Sequence, residues 1–468
     1  MVYHIMWPKN TAKASVLLLA LMTNQAHAFD LFEAWQAARV HDPQFASARA
    51  GAEAGRAKTL QAQALKSPQV SLNADMAGVN SDNKISNAQF SNAQFAGGGA
   101  GTSGTTDFRT RTDAGLNLNL NLRAEYPLYD AARNGSAMQL NKQAQIAEVQ
   151  LTLNEQQLMQ RVAQAYFDTL MSADTLSTLK SQLVAVTEAL ASAQARFKEG
   201  DVAVIDTHET QASYDLLASQ VFEAESNLQL SRAALADITG NQDAALVSLP
   251  QNAKLPIAIS GDLQSWLVRA KSNHPSIHAQ QLQEEIAHAE SGKFQAKYSP
   301  VVNLVALAGG DHLQGLGAHD ADVSNRQISL GVQLSIPLYS GGMREARYQE
   351  ALALEDMTRN QTEFVRQQAT REARTAWLAV TTGQGQVKAL EQAERSAEIK
   401  LDSTRLGREV GDRTTLDALN AEQELFNARL ALYRSRYQTL LALLNLSAAA
   451  GELSEPRLQE INLLLTAK

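Results

Sequence analysis

Leu116-Asn117-Leu118-Asn119-Leu120-Asn121-Leu122-Arg123-Ala124-Glu125-Tyr126-Pro127-Leu128-Tyr129 is the stretch that decides the fold. Leucine alternating with asparagine has a period of two, which on an extended chain makes one apolar face and one wet face. Pro127 lacks the amide a ladder needs, so the strand is expected to end at Tyr-Pro-Leu-Tyr, and a helical pattern follows at once. The same handover recurs: Ile328, Leu330, Val332, Leu334 and Ile336 alternate with mostly polar or small residues up to Pro337-Leu338-Tyr339. An outgoing strand precedes each, over Val70, Leu72 and Ala74 after Pro68, and over Val301 to Leu307 after Pro300. In the first hairpin a loop rich in Gly, Ser, Asn and Thr is expected to run to about Asp113. The reading is two hairpins and four strands.

The recurrence extends along the whole chain. Pro43 and Pro68 return as Pro275 and Pro300, Pro127 as Pro337, and Gly200, Asp206 and Gly240 as Gly411, Asp417 and Gly451. The separation falls from 232 for the first two pairs to 210 for Pro127 and 211 for the last three, marking a longer loop in the first copy. A unit that is half hairpin and half long helix cannot bury itself alone, so a tandem duplication of it must assemble with further copies. The expected layout is a leader over 1–28, a first repeat over 29–240, a linker over 241–261, a second repeat over 262–451 and a tail over 452–468.

Helical spacing runs from Leu31 to about Lys66, opened by a capping box of Asp30 and Glu33, and its counterpart runs from about Asp262 to Tyr298. Both should bend before Pro43 and Pro275, because proline biases the preceding residue out of the α region. Stretches from about Asn134 to Lys198 and from Met343 to Arg408 contain no proline and little glycine, and at ~1.5 Å per residue each could extend ~100 Å. Leu179, Leu183, Val186, Leu190, Ala193 and Phe197 alternate at four and three, the stripe of a coiled-coil seam or of a long buried helix. Arg196, Lys198 and Gly200, like Arg405, Arg408 and Gly411, look like helix C-termini.

The first 28 residues carry Lys9 and Lys13, the apolar run Val16 to Met22 and Ala26-His27-Ala28, the form of a secretory leader with an A-x-A cleavage site, so the mature chain is expected to start at Phe29. No later segment reaches the ~18 apolar residues of a membrane helix, so any crossing must be made by strands. Asn, Gln and Ser opposite an apolar face suit a transmembrane barrel with a wet lumen, and a soluble half-buried sheet would show the same alternation. The chain has 468 residues, no cysteine and a net charge of −8, which excludes disulfides and a lipidated cysteine and offers no basic surface for nucleic acid.

These features, with Val410-Gly411-Asp412-Arg413-Thr414-Thr415-Leu416-Asp417-Ala418-Leu419-Asn420-Ala421, Gly200-Asp201-Val202-Ala203-Val204-Ile205-Asp206 and the ending Leu446-Ser447-Ala448-Ala449-Ala450-Gly451, closely resemble the TolC family of outer-membrane channel-tunnels. The resemblance implies an α+β membrane protein. Long antiparallel helices would form an α-barrel tunnel across the periplasm, and a homotrimer would pool four strands per subunit into one twelve-stranded barrel in outer-membrane lipid. It also implies a periplasmic adaptor and an inner-membrane transporter of ABC or RND type as partners, with no cofactor. Asp417 matches a position where symmetry-related aspartates ring the periplasmic entrance, and Asp206 is its repeat mate. Arg413 matches an arginine that ties the closed entrance together. Asn420 stands where many relatives carry a second aspartate, and Arg408 replaces a latch tyrosine, which softens the charge and alters the latch.

A helix-start role is equally available to Asp206 and Asp417, since acids are favoured in a first turn, and both arginines could be solvated residues near a helix C-terminus. No Cys nucleophile, clustered Ser and His, or phosphate-binding glycine loop points to catalysis. His274 and His278 lie one turn apart, and Asp311, His312, His319, Asp320 and Asp322 share one loop, but neither group has the geometry of a metal site. The expected function is a passive exit duct, with type I protein secretion favoured over small-molecule efflux because the leader is followed by no cysteine. A soluble periplasmic coiled-coil adaptor is the reading from a different class.

Overall fold

The computed structural model describes residues 29–89, 105–200, 202–242, 245–250, 261–296, 298–315 and 323–466, so the leader and the centre of the histidine-rich loop lie outside the described residues. Helix α1 (Leu31–His41) opens on the Asp30–Glu33 capping box, and α2 (Pro43–Ala64) restarts after Asp42. Asp42 is the hinge's fixing point: its carboxylate caps Phe45 N at 2.9 Å and pairs with Arg161 at 2.7 Å. The second copy bends in the same way between α5 (Leu263–Asn273) and α6 (Pro275–Gln295), with the ring of His274 accepting from Ser276 N at 3.2 Å. That capping role, with burial holding the His274 pKa below its usual value, accounts for the histidine without a metal.

Strands β1 (Gln69–Gln89), β2 (Thr105–Asp130), β3 (Val301–Gln314) and β4 (Val323–Ser335) form one antiparallel sheet in sequence order. Two expectations need correcting. The first hairpin is no loop up to Asp113: Ser81 to Ile85 pair with Phe108 to Thr112. This outer ribbon is mostly polar in sequence, with Ile85 opposite Phe108 as its apolar pair, so it carries no alternation to read; backbone ladders and the cross-strand pairs Asp82–Arg109 and Lys84–Asp107 hold it. Nor does β2 stop at Pro127. It continues to Asp130, with a register shift between Pro127 and Tyr129 that takes up the missing amide as a bulge. In the second copy β4 does end before Pro337, at Ser335.

The handovers to helix differ accordingly. Asp130 caps α3 (Ala131–Glu199) by accepting from Arg133 N at 3.0 Å, whereas α7 (Met343–Glu409) starts from Gly341 and Gly342 at φ 63° and 82°, without a side-chain cap. At ~1.5 Å per residue α3 and α7 are each ~100 Å long. Near the sheet α3 packs with α2 and α6, and α7 with α6; at the far end α3 packs with α4 (Val204–Thr239) and α7 with α8 (Thr415–Ala449).

The buried positions of α7 show how the packing changes along it. Ala351, Thr362 and Ala373, like Thr358, Ala369 and Val380, recur every eleven residues, a period close to that of a straight helix. Beyond Val380 the next buried positions are Val387, seven on, and Leu401, a further fourteen on, spacings that fit the seven-residue repeat of a left-handed coiled coil. Small residues allow close approach in the first region: a Cβ on Gly55 of α2 would stand 2.1 Å from the Ala147 Cβ of α3.

The main core lies midway, where Trp35, Trp266, Tyr166, Phe167 and Tyr437 gather. The stretch after Gly451 is helical, α9 (Glu455–Thr466), and Leu458, Ile461 and Leu465 enter this core while Asn462 bonds Asp30 Oδ2 at 2.8 Å and Leu31 N at 3.1 Å. The inter-repeat segment joins it too: Phe29 bridges Leu246 in parallel, and the Tyr166 hydroxyl sits 3.0 Å from the carbonyl oxygens of Phe29 and Val247.

One core group is under electrostatic strain. Burial raises the Asp174 pKa even though Tyr437 donates to its carboxylate at 2.6 Å. A carboxyl whose folded pKa is raised is easier to protonate in the fold, so its penalty is absent at low pH and grows as pH rises through the unfolded value to the folded one. Asp174→Asn keeps an acceptor for Tyr437 and removes the charge. It is expected to raise the unfolding temperature by about 2 °C at neutral pH, with the gain fading toward pH ~4 in calorimetric scans.

Candidate functional site

The sheet presents one continuous apolar face. In register, Leu72, Leu122, Ala308 and Ile328 form one row across it, and Val70, Ala124, Ala306 and Leu330 the next. These side chains find no cover within the subunit: Ile328 is 89% exposed and Leu330 74%. From Leu116 to Tyr126 is ten steps of ~3.3 Å, ~33 Å along the strand, and a tilt of ~40° reduces that to ~25 Å, the height of a membrane barrel's apolar band. Exposed Tyr126, Tyr129 and Tyr339 mark its edge nearest the helices, where an aromatic girdle belongs. Among the described residues no helix is long and apolar enough to cross a membrane.

The opposite face is polar and bonded to itself. Asn303 donates to Glu125 at 2.6 Å, Arg123 pairs with Glu125 at 3.2 Å and Asn121 donates to Asn119 at 2.6 Å. Gly309 lies among them because a Cβ there would fall 2.1 Å from Asn121 Oδ1 and 2.5 Å from the Leu120 oxygen. Alternation predicted the polar face; only the pairing of β2 with β3 brings Asn303 to Glu125.

At the far end of the helices the two turns are built differently. In the first, Gly200 at φ 84° ends α3, and α4 starts from Ala203 with no side-chain cap; Asp206 is in its first turn, with no hydrogen bond or ion pair from its carboxylate to any described residue. Val186 and Leu179 of α3 seal against Leu217 and Val221 of α4, confirming the seam, although Phe197 at its end is exposed. In the second, Gly411 at φ 82° follows α7, and the Gly407 oxygen accepts from the amides of Asp412 at 2.8 Å and Arg413 at 3.2 Å. Asp417 then forms a capping box with Thr414, at 3.0 Å to the Thr414 amide and 3.1 Å from its own amide to the Thr414 hydroxyl. The Thr414 amide, then its hydroxyl, with the Arg413 charge beyond, hold the Asp417 pKa below the usual carboxylate range.

Asn420 is exposed one turn further along α8, and Arg408 lies close enough to Glu422 to act on its charge. Sequence reading missed Gly407: a Cβ there would meet the Arg413 Cγ at 2.8 Å, so its bareness lets the arginine stem fold back over α7. A lone glycine one turn inside a helix end was the available signal. Also unforeseen are the ion pairs that join α7 to α8, Arg405–Glu422 at 3.1 Å, Lys400–Glu424 at 2.6 Å and Arg429–Glu394 at 3.0 Å, where α3 and α4 rely on their apolar seam and Lys180–Glu225.

Known proteins share this architecture. A family model described as outer membrane efflux protein matches residues 34–241 and 266–452. Outer membrane protein TolC of Escherichia coli is 26% identical over 455 residues, 95% of this chain and 87% of the relative. The alkaline protease secretion protein AprF of Pseudomonas aeruginosa is 25% identical over 448 residues, 94% and 88% of the two chains. The crystal structure of the Campylobacter jejuni CmeC outer membrane channel superposes with a TM-score of 0.72 at 15% identity, covering 98% of this chain and 97% of that one. With a sheet of membrane-barrel dimensions on tunnel-length helices, and a family match over most of its length, the chain belongs to the outer membrane efflux protein family and is a channel-tunnel protein of the outer membrane.

Proposed function

We propose that the chain is one subunit of a homotrimeric exit duct, which passively conducts substrates from an inner-membrane transporter and a periplasmic adaptor to the cell exterior. The observation that carries this reading is the joining, in one chain, of an uncovered apolar sheet to helices ~100 Å long. Strands β1 and β4 are edges with unpaired backbone groups, which only further copies can close into a barrel in lipid. Units 29–240 and 262–451 act as two quasi-equivalent staves per subunit, with the segments between and after them buckled into the midway core. The far turns form the entrance: Asp417 supplies a charged ring, Asp206 a second acid nearby, Arg413 a tie and Asn420 an uncharged second position. The role is conduction rather than chemistry, so the chain is not an enzyme.

Type I secretion is the preferred cargo route, supported by the protease secretion relative and by a leader followed by no cysteine; an ABC transporter then supplies the substrate, and an RND transporter in the efflux alternative. Fractionation after high-salt extraction tests the membrane reading: the chain should stay in the outer-membrane pellet and run as a heat-modifiable trimer. Recovery from the soluble periplasm as a monomer would leave the adaptor reading standing. Comparing secreted proteins with dye and detergent sensitivity in a deletion strain tests the cargo. An unchanged secretome beside marked drug sensitivity would reverse the preference.

A further inference from the structure

The apolar face of the sheet is not smooth. At the groove β3 carries the small residues Ala308 and Gly310 on this face, while β2 beside it carries Leu118, Leu120 and Leu122, and β4 on the other side carries Ile328. The result is a groove of about 710 Å³ along β3, within the size range of small-molecule sites. A Cβ at Gly310 would stand 2.3 Å from the Asn325 carbonyl oxygen, so the groove stays bare at that point.

This groove has a charged end. Arg326 is the register partner of Gly310, and His312 lies two residues further along β3 on the same face. Both lie at the end of the sheet away from the helices, where the β3–β4 connection turns. Among the described residues neither makes an ion pair. An arginine on a lipid-facing strand is costly at the bilayer midplane and tolerated near its surface; Arg326 lies one alternation beyond Ile328, where the apolar run of β4 ends, which sets it on the headgroup side of that strand, where its planar guanidinium can hold a phosphate through two hydrogen bonds.

We propose that this groove binds a phosphate-bearing acyl lipid of the outer leaflet, an acyl chain lying over Ala308 between Leu122 and Ile328 and the phosphate held beside Gly310 by Arg326 and His312. The inference rests on the outer-membrane placement. Charge complementarity selects an anionic headgroup, and the depth of the groove in the apolar band selects a lipid over a water-borne partner. A second copy of the chain is not the occupant, because copies pair through β1 and β4 whereas the groove is centred on β3, inside one subunit.

The test uses the full-length protein in dodecyl maltoside, titrated with phosphorylated lipid A, with the same lipid dephosphorylated, and with inorganic phosphate, bound ligand being read by native mass spectrometry. The wild type should retain the phosphorylated lipid about tenfold better than the dephosphorylated one, the loss expected when a charge-assisted contact is removed, and inorganic phosphate should not be retained. Arg326→Gln should remove that preference, and Ala308→Leu, which fills the floor, should weaken retention of both lipids. Arg326 is on the exposed face, so its variant keeps the fold, which heat-modifiable migration monitors. Equal retention of both lipids by the wild type, or the same preference in Arg326→Gln, overturns the proposal. An adaptor-like protein would instead reveal itself by needing no detergent at all.

Discussion

Gly451→Ala is expected to abolish most of the folded, heat-modifiable protein. Gly451 ends α8 at φ 71°, a region costing an alanine ~1 kcal/mol or more, and the new Cβ would lie 2.3 Å from the Asn273 oxygen, 2.6 Å from its carbonyl carbon and 3.0 Å from His274 N. Those are backbone atoms at the α5–α6 bend, pinned by the His274 amide bonding Ala270 O at 3.2 Å, so they cannot turn aside as a side chain would. Strain and overpacking together are of order 3–5 kcal/mol, a large part of an ordinary fold's stability. The repeat mate is a built-in comparison. At Gly240, φ 75°, the obstructing atoms belong to the His41 ring, which can rotate, so Gly240→Ala should lose clearly less. Gly385→Ala in α7, with nothing within 4 Å, should be neutral or stabilising by up to ~1 kcal/mol. Equal yields from all three variants in outer-membrane fractions would show that the bend is softer than its packing implies.

The second large effect concerns conduction. If three Asp417 carboxylates surround the pore at ~6 Å, each attracts a divalent cation by ~1.4 kcal/mol in water before screening, ~4 kcal/mol for the ring. Asp417→Ala should therefore weaken divalent block in planar bilayers by at least about tenfold. The substitution also removes half of the Thr414 capping box, worth ~1 kcal/mol of local helix stability. Asp417→Asn separates the two, retaining an acceptor for the Thr414 amide without the charge. Block lost equally in both variants assigns the effect to charge; block lost only in the alanine variant assigns it to the helix start. Arg413→Ala should act differently, raising single-channel conductance by loosening the closed turn while leaving cation block largely in place. Wild-type conductance and block in all three would remove both residues from the entrance.

How much of this was legible in advance depends on the signal each part carries. The helices, their bends at Pro43 and Pro275, the capping box at Asp30 and the glycines closing α3, α4 and α7 could be read because periodicity and capping are local. The four strands were legible where one face is apolar, from Val70 to Ala74 and from Leu116 to Leu122 in the first hairpin, and from Val301 to Leu307 and Ile328 to Ile336 in the second. The ribbon beyond was not, because Ser81 to Ile85 are mostly polar and show no alternation. Long-range meetings left no trace in the sequence either: Asn462 with Asp30, Tyr166 with Val247 and Asn303 with Glu125 depend on the closed topology. The residues expected at the entrance were singled out by resemblance alone, and the geometry adds that Asp417 is engaged with Thr414 while Asp206 is not.

The change of step in α7, from eleven to seven at Val380, divides the tube mechanically. Above it the walls resemble the staves of a cask, whose bore is set by how many stand side by side. Below it they resemble the strands of a rope, whose bore follows from how tightly it is twisted. Any untwisting at the tips would then be taken up by the lower half, below the midway core where Trp35, Tyr166 and Tyr437 are packed among the helices. On that geometry the sheet end of a single continuous helix is decoupled from its tip, and the two ends can be stiff and compliant independently.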